Sequence, residues 1–191
     1  MKTRPVFPAL ATFGLALIAL LPPSASADDA AREPLYDLVD TATQRLQTAD
    51  PVAASKWLSG GPITDPARVQ QVLQSVAADA ESSGAPSDFV MSVFTDQINA
   101  TEAIQYSRFS WWKLNPADAP VWAPDLSASR ALIDDLNAAM VVQIAAQWPV
   151  LNAPDCTTRL GAAKAAVVDQ RHLDPIYSQA LDAATRSYCK G

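Results

Sequence analysis

Apolar residues recur along this chain at helical spacing, and no stretch shows sustained alternation of β-branched residues. Asp50-Pro51, Asp65-Pro66 and Asp174-Pro175 each have the form of an N-cap followed by a proline in the first helical turn. The pattern predicts helices over residues 33–49, 50–58, 65–81, 87–113 and 127–148, one that begins at Pro154, and a last one over residues 174–189. The first two form either one kinked helix or two.

The predicted fold class is all-α, a single-domain helical bundle whose long central helix covers residues 87–113. Only six glycines and abundant alanine favour helices joined by proline-marked turns. A proline-rich loop over residues 115–124 follows the long helix.

The first 27 residues have the layout of a secretory signal: a basic start, a short apolar run and the small residues Ala25-Ser26-Ala27. We expect cleavage after residue 27, which leaves one domain over residues 28–191 in the periplasm or fully secreted. The apolar run is shorter than the roughly 20 residues of a membrane helix, so no membrane attachment is expected after cleavage. A retained N-terminal anchor is the alternative.

Both cysteines, Cys156 and Cys189, lie in the C-terminal third of the chain. Outside the cytoplasm a disulfide between them is the expected state, and it would join the last two helices. Two free thiols are the alternative.

Charge restricts the classes of ligand. The expected mature chain carries 12 basic and 20 acidic residues, a net charge of -8. Nucleic-acid and anionic-membrane partners are therefore disfavoured, and an anionic ligand requires a local cationic pocket.

Polar side chains interrupt the apolar faces of two predicted helices. Arg45 and Lys56 are eleven residues apart, about three turns, and therefore share one mostly inward stripe. Thr101 and Gln105 are four residues apart on the long helix and point into the same space.

Further charged residues lie near helix starts. Asp65 and Arg68 are one turn apart at a predicted N-terminus, where backbone N–H groups also favour an anion, and Arg130 lies near the start of a later helix. Glu102 and Asp96 occupy other turn positions of the long helix than its polar stripe, so no acid–base pair is predicted there.

Several cations on inward faces imply buried carboxylates, because a buried cation without a partner is costly. Those carboxylates belong either to the protein or to a ligand, and the pattern leaves both open. Each cation taken singly also fits a solvated or snorkelling side chain.

These residues lie in stretches that resemble the secreted chorismate mutases, the gamma subclass of the AroQ-type helical family. The resemblance covers nearly the whole chain after residue 27. It is carried by Arg45-Leu46, 50–57 (DPVAASKW), 100–109 (ATEAIQYSRF), 112–116 (WKLNP), 125–130 (DLSASR) and 171–174 (RHLD). It implies an all-α homodimer with one active site per subunit, chorismate as substrate, and no metal or organic cofactor.

Carried over by position, the resemblance implies substrate contacts for Arg45, Lys56, Asp65, Arg68, Val72, Thr101, Gln105 and Arg130. Among these, Lys56, Gln105, Arg45 and Arg130 are the implied catalytic residues. Asp65 either orients Arg68 or meets the ring hydroxyl, with plain N-capping as the alternative.

Two positions depart from relatives. Secreted relatives can have glutamate where this chain has Gln105, and a close relative has glutamine where this chain has Val72. We expect Val72 to line the pocket without a polar contact.

The implied activity is that of an isomerase that rearranges chorismate to prephenate in shikimate-derived aromatic amino acid biosynthesis. Two rivals remain at this point. One is an exported helical protein that binds a partner protein, and the other binds a small dianion without catalysis.

Overall fold

A computed structural model describes residues 33–189, so the predicted signal segment lies outside the described residues. The described part contains seven α-helices and a short 3-10 helix, and it contains no strand. The helices are α1 (Tyr36–Gln47), α2 (Ala49–Ser59), α3 (Pro66–Ser83), α4 (Ser87–Leu114), α5 (Leu126–Leu151), α6 (Cys156–Arg171) and α7 (Pro175–Ala184), with the 3-10 helix at Pro116–Asp118. The all-α prediction is confirmed. None of the helices over residues 33–189 is long and apolar enough to cross a membrane.

The long helix α4 forms the centre of the bundle, as predicted. It has 28 residues, about 42 Å of helix at the standard rise. It packs against α2, α3 and α7 and also contacts α1, while α5 packs against α1, α2 and α3. The buried side chains of Phe89, Val93 and Phe94 anchor its first half in the core.

Two of the three predicted caps are present. The Asp65 carboxylate accepts a hydrogen bond from the backbone N–H of Arg68 at 3.1 Å, and Asp174 accepts one from that of Tyr177 at 2.8 Å. Such caps satisfy backbone donors that a helix start leaves unpaired.

The predicted cap at Asp50 is wrong. Helix α2 begins one residue earlier, at Ala49, and Thr48 precedes it in a helical conformation, so the chain restarts before Pro51. The Asp50 carboxylate instead accepts a hydrogen bond from Nε of Arg108 at 2.7 Å. A charged partner on α4 therefore draws this carboxylate away from its own backbone.

Several other predicted boundaries also differ. Helix α5 continues through Pro149 to Leu151, α6 begins at Cys156 rather than Pro154, and α7 ends at Ala184. Pro149 lies in the last turn of α5, so the hydrogen bond that its missing N–H removes lies at the end of the helix.

The predicted disulfide joins Cys156, the first residue of α6, to Cys189, which follows α7. The two Cα atoms are 5.7 Å apart, within the usual range for such a bond. Closing a loop of this length stabilises the fold by roughly 3 to 4 kcal/mol in the chain-entropy treatment. The bond also holds the segment after α7 against the bundle, where Tyr188 is fully buried.

Candidate active site

A cavity lies between helices α1 to α5. Its walls contain all eight residues predicted from the sequence: Arg45, Lys56, Asp65, Arg68, Val72, Thr101, Gln105 and Arg130. The apolar part of the wall includes Val52, Ile63, Ile98 and Ile133. Five helices, contributed by one chain, therefore bring these positions together.

The cavity is cationic although the chain as a whole is acidic. Its lining contains four cations, Arg45, Lys56, Arg68 and Arg130, and two carboxylates, Asp65 and Glu102. This excess of positive charge suits an anionic ligand, since apolar walls strengthen charge interactions inside a cavity.

Arg45 is the most buried of the four cations, with 4% of its surface exposed. Its Nε donates to Oδ1 of Asn137 at 2.7 Å, and its Nη1 donates to the Thr101 hydroxyl at 3.2 Å. Its guanidinium carbon lies 5.7 Å from the centre of the Phe94 ring. Burial lowers the pKa of Arg45 to about 10, so the group stays charged at neutral pH. No carboxylate among residues 33–189 forms an ion pair with it.

Lys56 extends from α2 into the same cavity, where its ammonium group donates to the backbone carbonyl of Ile63. Burial lowers the pKa of Lys56, and the nearby carboxylates of Glu102 and Asp65 oppose that shift. Within the described part of the chain no carboxylate lies at ion-pair distance from this ammonium group. Among the described residues, Arg45 and Lys56 are therefore the cavity cations that form no ion pair.

Asp65 connects the start of α3 to α5. While one carboxylate oxygen caps α3, the other accepts from Nη2 of Arg130 at 3.0 Å. The guanidinium of Arg68 pairs instead with Asp134 of α5, at 2.5 Å. Asp65 therefore caps α3 and also holds the guanidinium of Arg130 rather than that of Arg68, while its contact with the ring hydroxyl stays a prediction.

Three residues complete the polar and apolar surface of the cavity. The Thr101 hydroxyl donates to the backbone carbonyl of Gln97 at 2.7 Å, which leaves its oxygen to accept from Arg45. Gln105 is buried, and its amide oxygen has no hydrogen-bond partner among the described residues. Val72 is buried in the wall and presents only carbon atoms.

Sequence reasoning missed two polar residues at this site. Glu102 lines the cavity, because the cavity is wide enough to include the residue next to Thr101 on α4 as well as Thr101 itself. Its carboxylate accepts a hydrogen bond from the Thr64 hydroxyl at 3.1 Å. Asn137 lies behind Arg45 on α5. Its spacing of seven residues from Arg130 could have predicted this position, since residues seven apart lie on the same face of a helix.

Comparisons with known proteins agree with this arrangement. The sequence profile of the family described as chorismate mutase type II matches residues 36–106, which include α1, α2, α3 and most of α4. The secreted chorismate mutase of Mycobacterium tuberculosis is 54% identical over 92% of this chain and 88% of its own length. The secreted chorismate mutase of Mycolicibacterium smegmatis is 53% identical over 95% of this chain and 99% of its own length.

A solved structure extends the similarity to the fold. The crystal structure of the chorismate mutase from Burkholderia phymatum superposes with a TM-score of 0.79 and 30% identity, covering 83% of this chain and 98% of that one. Similarity at this level covers nearly the full length of the relatives. The all-α bundle and the sequence therefore indicate the same family. The chain therefore belongs to the chorismate mutase family.

Proposed function

We propose that the cavity binds chorismate and rearranges it to prephenate. The observation that carries this proposal is Arg45, a buried cation in the cavity wall that has no carboxylate partner among residues 33–189. An uncompensated buried charge is costly to the folded chain, so its position is best explained by an anion that arrives with the substrate. Lys56 lines the same cavity and is a second cation without an ion pair among residues 33–189, so it also has its charge available to a ligand.

The three arginines suit the carboxylates of chorismate. A guanidinium presents forked donors that match both oxygens of a carboxylate. Arg68 and Arg130 are each held by one aspartate, which fixes their direction without using all their N–H groups. We assign Arg45, Arg68 and Arg130 to gripping the two carboxylates, which selects the compact conformer in which the two reacting carbons approach each other.

Lys56 and Gln105 suit the ether oxygen. In this rearrangement the carbon–oxygen bond lengthens before the new carbon–carbon bond forms, so the ether oxygen gains negative charge in the transition state. A fixed ammonium and a fixed amide N–H stabilise that charge more strongly than they stabilise the ground state. The step is intramolecular, and no residue is required as a nucleophile or as a base.

The direct test is the ultraviolet absorbance of chorismate, which disappears on rearrangement. Purified protein that consumes chorismate and releases prephenate in equal amounts supports the proposal. Binding without turnover would favour the small-dianion reading, and neither binding nor turnover by a folded, disulfide-bonded sample would leave the partner-protein reading.

The pH profile tests the role of Gln105. An amide has no proton to lose, so wild-type kcat/KM should stay flat between about pH 5 and 8. It should fall at higher pH as Lys56 loses its proton, and burial places that loss below the ordinary lysine pKa of 10.5. Gln105→Glu must be protonated to donate, so its kcat/KM should decline from acid to neutral pH. The assignment is wrong if wild type declines over that range and the variant does not.

We also propose export and dimerisation. Residues 1–27 carry the secretory pattern, and the two relatives named above are called secreted. Mass spectrometry of protein recovered outside the cytoplasm should find Asp28 as the first residue, leaving one domain over residues 28–191, free of the membrane. The homodimer is implied by the family resemblance, and a cavity lined by a single chain supports one complete site per subunit. Light scattering should give twice the chain mass.

A further inference from the structure

We propose that Asn137 is a positioning residue that fixes the guanidinium of Arg45 with its terminal edge toward the substrate. The inference rests on the proposed function, in which Arg45 grips a carboxylate of chorismate. It concerns a residue that lies outside the cavity wall and acts through Arg45.

The donors of Arg45 define the geometry. A guanidinium has five N–H groups. The Nε–H points to Oδ1 of Asn137 at 2.7 Å, and one Nη1–H points to the Thr101 hydroxyl at 3.2 Å. The remaining donors are one hydrogen on Nη1 and two on Nη2. Because Asn137 closes the Nε side, a carboxylate can form two parallel hydrogen bonds only with the Nη1 and Nη2 edge.

Thr101 reinforces this orientation. Its single hydroxyl hydrogen is donated to the carbonyl of Gln97 at 2.7 Å, so toward Arg45 it acts as an acceptor. The guanidinium is therefore held from two directions by neutral oxygens. Neutral acceptors fix the orientation of the cation while leaving its charge available to an incoming anion. A carboxylate in place of Asn137 would hold Arg45 equally well but would compete with the substrate.

One face of α5 organises three arginines. Arg130 lines the cavity from this helix, Asp134 pairs with Arg68 at 2.5 Å, and Asn137 holds Arg45 at 2.7 Å. Positions 130, 134 and 137 follow the spacing of a single helical face. Asn137 is 96% buried, so the contact with Arg45 is shielded from competing water.

The test compares two variants of Asn137 with a matched control on the same helix. Asn137→Leu keeps the approximate volume and removes the acceptor, and Asn137→Asp keeps the acceptor and adds a competing charge. The control is Gln143→Leu, which removes another side-chain hydrogen bond of α5, from Gln143 to the Thr41 hydroxyl at 3.0 Å, away from the cavity. Steady-state kinetics with chorismate and circular dichroism are measured for all four proteins.

Both Asn137 variants should raise KM by about 10- to 100-fold, because a misdirected or neutralised Arg45 loses binding in the ground state and the transition state alike. Gln143→Leu should stay within about twofold of wild type. A purely structural role would instead lower the active fraction, and hence the apparent kcat, without changing KM.

A wild-type KM in either folded variant overturns the inference. If Asn137→Leu fails to fold, the nearly isosteric Asn137→Asp decides alone. Wild-type protein without turnover contradicts the proposed function itself, and the inference falls with it, whereas active wild type with unchanged KM in the variants contradicts only the role of Asn137.

Discussion

Lys56→Ala is expected to lower kcat for chorismate by about 10²- to 10³-fold, the usual effect of removing one preorganised donor from a developing negative charge. The ammonium group is half-buried in an apolar-walled cavity and lacks an ion pair within residues 33–189. Once substrate fills the cavity and displaces water from it, the field of this group acts on the ether oxygen with less screening than in bulk water. Because the charge on that oxygen grows mainly in the transition state, the loss should fall on kcat more than on KM.

Two further variants distinguish the effect of losing the Lys56 charge from a non-specific effect of substituting a lysine. Lys56→Gln keeps a hydrogen-bond donor without the charge, so its kcat should lie between those of wild type and Lys56→Ala. Lys113→Ala removes an exposed lysine from the end of α4 and should leave both constants unchanged. Initial rates from chorismate absorbance provide the measurement. Activity of Lys56→Ala within threefold of wild type would remove the ammonium group from the mechanism.

Features of this protein that depend on local chain chemistry could be predicted from the sequence. The caps at Asp65 and Asp174 form because each carboxylate needs to reach only a backbone N–H three residues ahead. The polar pair Thr101 and Gln105 reaches the cavity because one helix fixes both directions.

Features that depend on another helix could not be predicted in the same way. Asp50 has the same Asp-Pro signal as the two real caps, yet its carboxylate pairs with Arg108, which is 58 residues away. Glu102 and Asn137 reach the site because of how wide the cavity is and where α5 crosses α1. The place where two helices cross depends on how side chains from distant segments pack together. The hydrophobic period of one helix therefore does not predict it.

Arg45→Met should lower kcat/KM for chorismate by roughly 10²- to 10³-fold, in the range found when one member of a buried charge pair is removed. The ligand-free protein should nevertheless be no less stable than wild type. Arg45 is desolvated, and its hydrogen-bond partners Asn137 and Thr101 are neutral. Its burial therefore destabilises the folded chain, and no ion pair among residues 33–189 offsets that effect.

An apolar side chain of similar length removes that desolvation cost. The substitution also leaves the side-chain oxygen of Asn137 without a hydrogen-bond donor, which costs about 1 to 3 kcal/mol, and the first effect offsets the second. Urea unfolding gives the stability of Arg45→Met, and initial rates give its activity. Arg159→Met is the matched control, because Arg159 forms an exposed pair with Asp155 within α6 and its neighbouring turn. A loss of several kcal/mol in Arg45→Met would mean that Arg45 holds the fold together; retained stability with lost turnover means that the chain keeps a buried charge for its substrate.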